Sequence, residues 1–247
     1  MSGKKILITG MSGLIGGVVR RHIEANGYEL SALNRRDVEG VPTLQADISD
    51  SDAIRPAFSG IDTVLHLAAS IHGEWDTLRD CNVVGTYNVF EEARNAGVRR
   101  VIYASSGSVI SGWECEEPYQ SLVDGDETAD DWEMITHETP LRPSGLYACT
   151  KIWGEALARH FSDTSEMSVI CLRIGAVNAE DAPQLRRHQS IFCSQQNIAT
   201  LVQACIEAPS NVHFDIFYGV SNNRLNYRDT MHSRQVLGHE PLGGVGS

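Results

Sequence analysis

Tyr147 and Lys151 stand four residues apart in the run Tyr147-Ala148-Cys149-Thr150-Lys151. On a helix that spacing puts a phenol and an ammonium on one face. A phenol with a pKa of about 10 is a poor base at neutral pH, and a neighbouring positive charge stabilises the phenolate and lowers that value. The phenolate can then take the proton of a substrate hydroxyl while the carbon beneath it gives up hydride. Tyr103-Ala104-Ser105-Ser106 adds an alcohol that can hydrogen-bond the reacting oxygen. Tyr-x-x-x-Lys arises often by chance, so its meaning depends on whether the chain also binds a hydride acceptor.

Lys4–Gly17 answers that question. Lys5–Ile8 reads as a buried strand, Thr9-Gly10 breaks it, and Gly10, Gly13 and Gly16 follow at three-residue spacing into a helix starting at Leu14-Ile15 and running to about Asn26. Strand, glycine turn and helix N-terminus together make a pyrophosphate site, because glycine lets the backbone approach the phosphates and the helix presents unpaired N–H groups. A dinucleotide carrying nicotinamide supplies the acceptor. The end of the second strand sets its flavour. An NAD site usually has Asp or Glu there, whereas this chain has Asn34-Arg35-Arg36, a neutral amide and two guanidiniums suited to a 2′-phosphate. NADP is therefore favoured over NAD, the alternative being that both arginines are solvated turn residues. Asp47, ending the third strand, suits the adenine amino group or serves as a turn or helix cap.

These residues must be positioned by alternating strands and helices. Strands are expected at Tyr28–Leu33, Pro42–Ala46, Asp62–Leu67, Arg100–Ala104, Met167–Leu172 and Val212–Tyr218. Helices are expected at Ser51–Phe58, Asn82–Ala96, Leu146–Phe161 and near Ile198–Ile206. That alternation predicts an α/β fold: a Rossmann-type doubly wound parallel sheet, with the nucleotide across the carboxyl ends of the strands. Residues 1–174 form the expected dinucleotide-binding domain, with a lid-like insertion at 112–144. Residues 175–247 form a small substrate-binding lobe interleaved with the same sheet.

Composition narrows the class. The formal net charge of −12 and the lack of a basic tract argue against a nucleic-acid partner. No run approaches the about 20 apolar residues of a membrane span, and the first strand leaves no room for a signal peptide. Six cysteines without a CxxC pair fit reduced thiols in a cytoplasm. His22, His160, His188 and His213 show no metal-ligand spacing, so no metal is expected.

Taken in order, TGMSGLIG, His66–Ala69 (HLAA), Asn82-Val83-Val84-Gly85, YASS, YACTK and Leu172-Arg173-Ile174-Gly175 resemble the extended short-chain dehydrogenase/reductase superfamily over nearly the whole chain. The resemblance implies Ser106, Tyr147 and Lys151 as catalytic residues. It implies Gly10, Gly13, Leu14, Ile15, Asp47, Ala68, Lys151 and Ile174 as cofactor contacts. Ile48, Leu67, Ala69, Asn82 and Tyr147 are expected to line the same site beside Asn34, Arg35 and Arg36. Within the superfamily, Pro143–Tyr147, Arg187–Ser194 and Phe217–Asn222 are similar to uronate dehydrogenases and archaeal sugar dehydrogenases. Those enzymes oxidise an anomeric hydroxyl to a lactone, which implies that Arg187 grips an anionic substituent and that Ser70, Ser106, Gly107 and Ser108 face the sugar. The expected activity is hydride transfer between nicotinamide and a small sugar, sugar acid or sugar phosphate. The alternatives are a sugar epimerase or dehydratase, and a dinucleotide sensor without turnover. A homodimer through the apolar faces of Asn82–Ala96 and Leu146–Phe161 is also implied.

The departures are specific. Those dehydrogenases carry Asn-His after the catalytic serine, where this chain has Gly107-Ser108. Uronate dehydrogenase has serine where Ala176 stands, and Asp usually occupies the place of Asn34. Fewer hydrogen-bonding groups weaken selection for one polyol, each well-placed bond contributing about 0.5–1.5 kcal/mol. The acidic stretch Gly112–Ser144, with Trp113, Tyr119 and Trp132, is expected to pass over the pocket either as a lid with an aromatic against the sugar or as a solvated loop.

Overall fold

The computed structural model describes residues 4–126 and 131–246. β1 (Lys5–Thr9), β2 (Glu29–Asn34), β3 (Thr43–Gln45), β4 (Thr63–His66), β5 (Arg100–Ser106), β6 (Ser168–Ile174) and β7 (Phe214–Gly219) form one sheet in the order β3-β2-β1-β4-β5-β6-β7. Every pairing is parallel. Strand order reverses at β1, so a crevice opens beyond the carboxyl ends of β1 and β4.

Both faces of the sheet are covered, which is why its strands are apolar without alternation. Ile6, Ile8, Leu65, Ile102, Ile170 and Leu172 point into one layer, against α1 (Leu14–Ala25) and α8 (Gln195–Glu207). Leu7, Val64, Val101, Tyr103, Val169 and Cys171 point into the other, against α4 (Gly85–Asn95) and α6 (Leu146–Thr164). The period of two in the strands thus feeds two cores from one run of residues.

The helix expected over Ser51–Phe58 splits. Asp50 caps α2 (Ser51–Ile54) by accepting from the Ala53 N–H at 3.0 Å, and the chain tightens to a 3-10 turn at Arg55–Phe58. Pro56 supplies no N–H to continue an α-helical ladder. The helix expected from Asn82 begins earlier, with α3 (Trp75–Leu78) and a π turn at Arg79–Val84 leading into α4. Short helices absent from the sequence reading are α5 (Tyr119–Val123), α7 (His188–Ile191) and α9 (Met231–Leu237).

The acidic stretch packs as a third layer at the carboxyl end of the sheet. Trp113, Tyr119 and Trp132 lie against a cluster of Val109, Ile110, Leu122, Ile135, Leu225 and Tyr227. Their polar tips are bound to backbone: Trp113 Nε1 to Pro140 O at 2.9 Å, Tyr119 Oη to Glu133 O at 3.0 Å, Trp132 Nε1 to Asn226 O at 3.0 Å. These aromatics hold the segment to the protein. Residues 127–130 of the expected lid lie outside the described residues.

Candidate active site

Gly10 ends β1 with φ +70°, and a Cβ there would stand 2.8 Å from the Ala68 nitrogen. Glycine alone lets β1 and the segment after β4 close on each other here. Gly13 is the N-cap of α1, and no side chain caps that helix. Its first-turn N–H groups are left for a ligand, with Leu14 42% exposed above them. This arrangement fits a pyrophosphate.

The segment after β4 is fixed by a relay that the motif reading did not resolve. Thr9 Oγ1 accepts from the Ala68 N–H at 3.1 Å and lies 2.7 Å from His66 Nδ1, while His66 Nε2 lies 3.2 Å from Thr86 Oγ1. Burial, reinforced by the Lys151 charge, pushes the His66 pKa down to about 3. The ring is therefore neutral, one nitrogen donating and the other accepting in the Thr9–His66–Thr86 chain. Asn82 extends this scaffold. Its Oδ1 accepts from the Ser70 N–H and its Nδ2 donates to Ser70 O, both at 2.8 Å, and to Thr150 Oγ1 at 3.0 Å. The Asn82 side chain is thus spent on holding Leu67–Ser70 rather than aimed at a ligand. Ser70 Oγ donates to His72 O at 2.6 Å.

At the other end of the crevice Asn34 is buried, with Nδ2 donating to Ser12 Oγ at 2.9 Å and Arg36 O at 3.0 Å. Arg35 and Arg36 are exposed beside it. Asp47 Oδ1 accepts from the Ser49 N–H and hydroxyl at 2.9 and 2.8 Å, and those bonds hold its carboxyl below the usual range. Its turn-capping role is thus realised at an exposed position. Ile48 is buried over Gly85, and Ile174 ends β6.

The chemistry-bearing residues converge from β5 and α6. Ser106 Oγ accepts from the Ser108 N–H at 3.1 Å and from the Ser108 hydroxyl at 2.9 Å, so its own proton is left to turn toward the neighbouring Tyr147 phenol or a ligand. Burial raises the Tyr147 pKa, and the neighbouring Ser106 hydroxyl opposes that rise. The depression expected from Lys151 does not operate in the chain alone, because that ammonium is drawn elsewhere. Lys151 Nζ donates to Ala104 O at 2.8 Å and lies 5.7 Å from the Tyr147 ring centre. Lys151 is 3% exposed, and burial pushes its pKa down to about 8. Below the serines, Ser105 Oγ donates to Glu155 Oε1 at 2.6 Å. Glu155 in turn pairs with buried Arg173 through two bonds of 3.0 and 2.9 Å. That ion pair fixes α6 against β5 and β6.

The substrate side differs from expectation in its partners. Arg187, the N-cap of α7, donates Nε and Nη2 to Glu114 Oε2 and Oε1 at 2.5 and 2.7 Å. Tyr227 donates to Glu114 Oε1 at 2.5 Å, and Arg228 Nη2 lies 3.5 Å from it. Burial alone would raise the Glu114 carboxyl, but Arg187, Arg228 and Tyr227 outweigh it and hold the group below its usual range. The Arg228 guanidinium fills the space where a Cβ of Gly107 would stand, and Nε and Nη1 have no hydrogen-bond partner. Nothing in the sequence marks Glu114 among the carboxylates of its stretch or links Arg228 to Gly107.

His137, Asp215 and His232 also meet, with ligand atoms within 4.8 Å of one another. His232 Nε2 is 2.6 Å from Asp215 Oδ1, and the two imidazoles stack at 4.1 Å and 17°. Parallel rings aim their lone pairs past a common point, so the cluster serves as a clasp between the acidic stretch, β7 and α9.

The model of the Epimerase family, the NAD dependent epimerase/dehydratase family, matches residues 6–233. The chain belongs to this family. An NAD-dependent glucose-6-phosphate dehydrogenase of Haloferax volcanii is 30% identical over 248 residues, spanning 96% of this chain and 92% of the relative. An L-arabinose 1-dehydrogenase (NAD(P)(+)) of the same organism is 29% identical over 84% of this chain and 78% of the relative. The crystal structure of uronate dehydrogenase from Agrobacterium tumefaciens superposes with TM-score 0.81 at 28% identity, covering 98% of this chain and 85% of that one. The family membership agrees with the glycine turn, the Tyr147/Lys151 pair and the strand order. Among the described residues no helix is long and apolar enough to cross a membrane.

Proposed function

We propose that this chain transfers hydride between NAD(P) and a small sugar, sugar acid or sugar phosphate, oxidising an aldose towards its lactone. The observation that carries the reading is the convergence of Tyr147 and Lys151, one turn apart on α6 with Lys151 Nζ 5.7 Å from the Tyr147 ring centre, on Ser106 at the carboxyl end of β5. The relatives named as sugar dehydrogenases support the substrate class. Bound nicotinamide supplies the hydride acceptor and a positive charge that favours phenolate.

The chain's own groups do the rest. The backbone at Gly10–Ile15 receives the pyrophosphate, and Leu67–Ala69 is held as a wall by Thr9, His66 and Asn82. Ser106 donates its proton to the reacting oxygen, oriented by Ser108. Tyr147 takes the hydroxyl proton as the C–H bond breaks. Lys151, beside the phenol, would hold the nicotinamide ribose when the cofactor is bound. Arg35 and Arg36, with no carboxylate at position 34, favour NADP by charge complementarity.

Two further readings have narrower support. Val84 at the N-cap of α4, Tyr87 on α4, and Leu146 and Trp153 on α6 are exposed; the two helices lie side by side through the Tyr87–Phe161 contact and suit a two-fold four-helix interface. The six unpaired thiols suit a reducing cytoplasm.

The test is a panel of neutral aldoses, uronates and sugar phosphates with NAD and NADP, following reduced nicotinamide. Tyr147→Phe is expected to lose turnover by at least 100-fold while cofactor Kd stays within a few-fold. Substantial activity in that variant refutes the assignment. A cofactor that is retained and recycled without net reduction would point instead to epimerase or dehydratase chemistry.

A further inference from the structure

The resemblance to uronate dehydrogenases puts Arg187 where an anionic substituent of the sugar would be gripped, yet its Nε/Nη2 edge is already taken. Glu114 takes Nε and Nη2 in a bidentate pair, the geometry a carboxylate or phosphate ligand would use. The same carboxylate is held by the Tyr227 hydroxyl and faces Arg228. The Glu114 side chain is only 10% exposed, whereas Arg187 is 40% exposed. We propose that Glu114 is a built-in ligand of Arg187, standing where a sugar acid or sugar phosphate would put its charge, so that the enzyme takes neutral aldoses. The proposal rests on the sugar dehydrogenase reading above and narrows its substrate class.

Exchange chemistry supports this choice. An incoming carboxylate would have to expel Glu114 from the bidentate pair and leave it with Tyr227 and the longer 3.5 Å contact to Arg228, breaking one ion pair to make another. A sugar hydroxyl asks for no such exchange, since Ser108 stands next to the reacting alcohol of Ser106 and the ion pair stays intact. Arg228 does not offer a second anion receptor. It is 1% exposed, turned onto the backbone of Gly107 and lying 5.4 Å from the Tyr227 ring centre. The surrounding field points the same way. Gly112–Ser144 carries ten carboxylates and one arginine, and Tyr119 of this stretch packs against Tyr227, which also holds Glu114. A concentrated negative potential at the mouth of a pocket lowers the local concentration of anionic substrates.

The experiment compares wild type with Glu114→Gln, which keeps the shape, and Glu114→Ala, on D-glucose, L-arabinose, D-glucuronate and glucose 6-phosphate. Wild type is expected to show a kcat/KM for its best neutral aldose at least tenfold above either anionic sugar. The variants are expected to move that ratio at least tenfold toward the anionic sugars. A wild type that prefers an anionic sugar, or an unmoved ratio in variants with intact melting, overturns the proposal. Calorimetric titration of glucuronate, with cofactor present, reads the subsite without turnover: binding by Glu114→Ala but not by wild type is expected, and binding by wild type overturns it. If cofactor binds but no sugar is oxidised, the dehydrogenase reading falls, and the titration still decides the role of Glu114. The wild-type arms decide it even where neither variant folds.

Discussion

Lys151→Met keeps the length of a buried side chain and removes its charge, and the structure predicts that stability and activity will move apart. Lys151 is 3% exposed, and burial lowers its pKa from 10.5 to about 8. Between those values the unfolded chain holds the proton and the folded chain releases it, so stability rises with pH from 8 to 10.5. Below pH 8 the folded protein carries the whole cost of the buried ammonium, roughly 3 kcal/mol at about 1.4 kcal/mol per pH unit. About 2 kcal/mol of that cost disappears between pH 7 and pH 9.5. Methionine carries none of it but forfeits the hydrogen bond to Ala104 O, which contributes about 1.5–3 kcal/mol. At pH 7 the variant is therefore expected to be about 1 kcal/mol more stable than wild type, or about 2–4 °C in Tm. At pH 9.5 it is expected to be about 1 kcal/mol less stable. Urea unfolding followed by tryptophan fluorescence at the two pH values measures both differences. A variant with the same difference from wild type at both pH values would refute the reasoning, because the charge would then carry no folded-state cost. Turnover should be lost in the variant at either pH, the trade expected of a functional group held in an unfavourable place.

Other perturbations follow from the same geometry. Glu155→Ala leaves Arg173 buried without its counter-ion and is expected to cost about 3–5 kcal/mol, read by the urea midpoint. Arg35→Ala with Arg36→Ala should raise KM for NADP at least tenfold with little effect on KM for NAD, and equal effects on both would remove the charge argument for NADP. Trp153→Glu, at an exposed position on α6, is expected to convert a dimer to monomer in sedimentation; a wild type that sediments as a monomer rejects the proposed interface.

The sheet was legible because its signals are local. Strands such as Lys5–Ile8 and Met167–Leu172 are short apolar runs bounded by breakers, and burial on both faces makes such runs compulsory in a parallel sheet. Boundaries moved where backbone chemistry outweighed periodicity, as at Pro56 and at the π turn before Gly85. The convergence of Ser106, Tyr147 and Lys151 was legible because Tyr147 and Lys151 are helical neighbours and Ser106 ends a strand. Residues acting through long-range contacts were not. Asn82 was expected to line the cofactor site, yet its amide is consumed by Ser70 and Thr150, 68 residues away in the latter case. Arg187 was named for its charge, but the group that answers that charge lies 73 residues earlier, in a stretch where carboxylates are common. Spacing rules carry no information about such partners, because the fold alone brings them together.

The guanidinium lodged against Gly107 also constrains the history open to this chain. Any side chain added at position 107 would strike Arg228, which is enclosed on its other sides and has nowhere to swing. A lineage could gain a side chain beside Ser106 only after shortening residue 228, whereas shortening residue 228 first creates no clash and costs a hollow and one of the charges facing Glu114. The two positions can therefore be rewritten in one order and not the other, and ancestral or laboratory trajectories through this pocket should show that asymmetry.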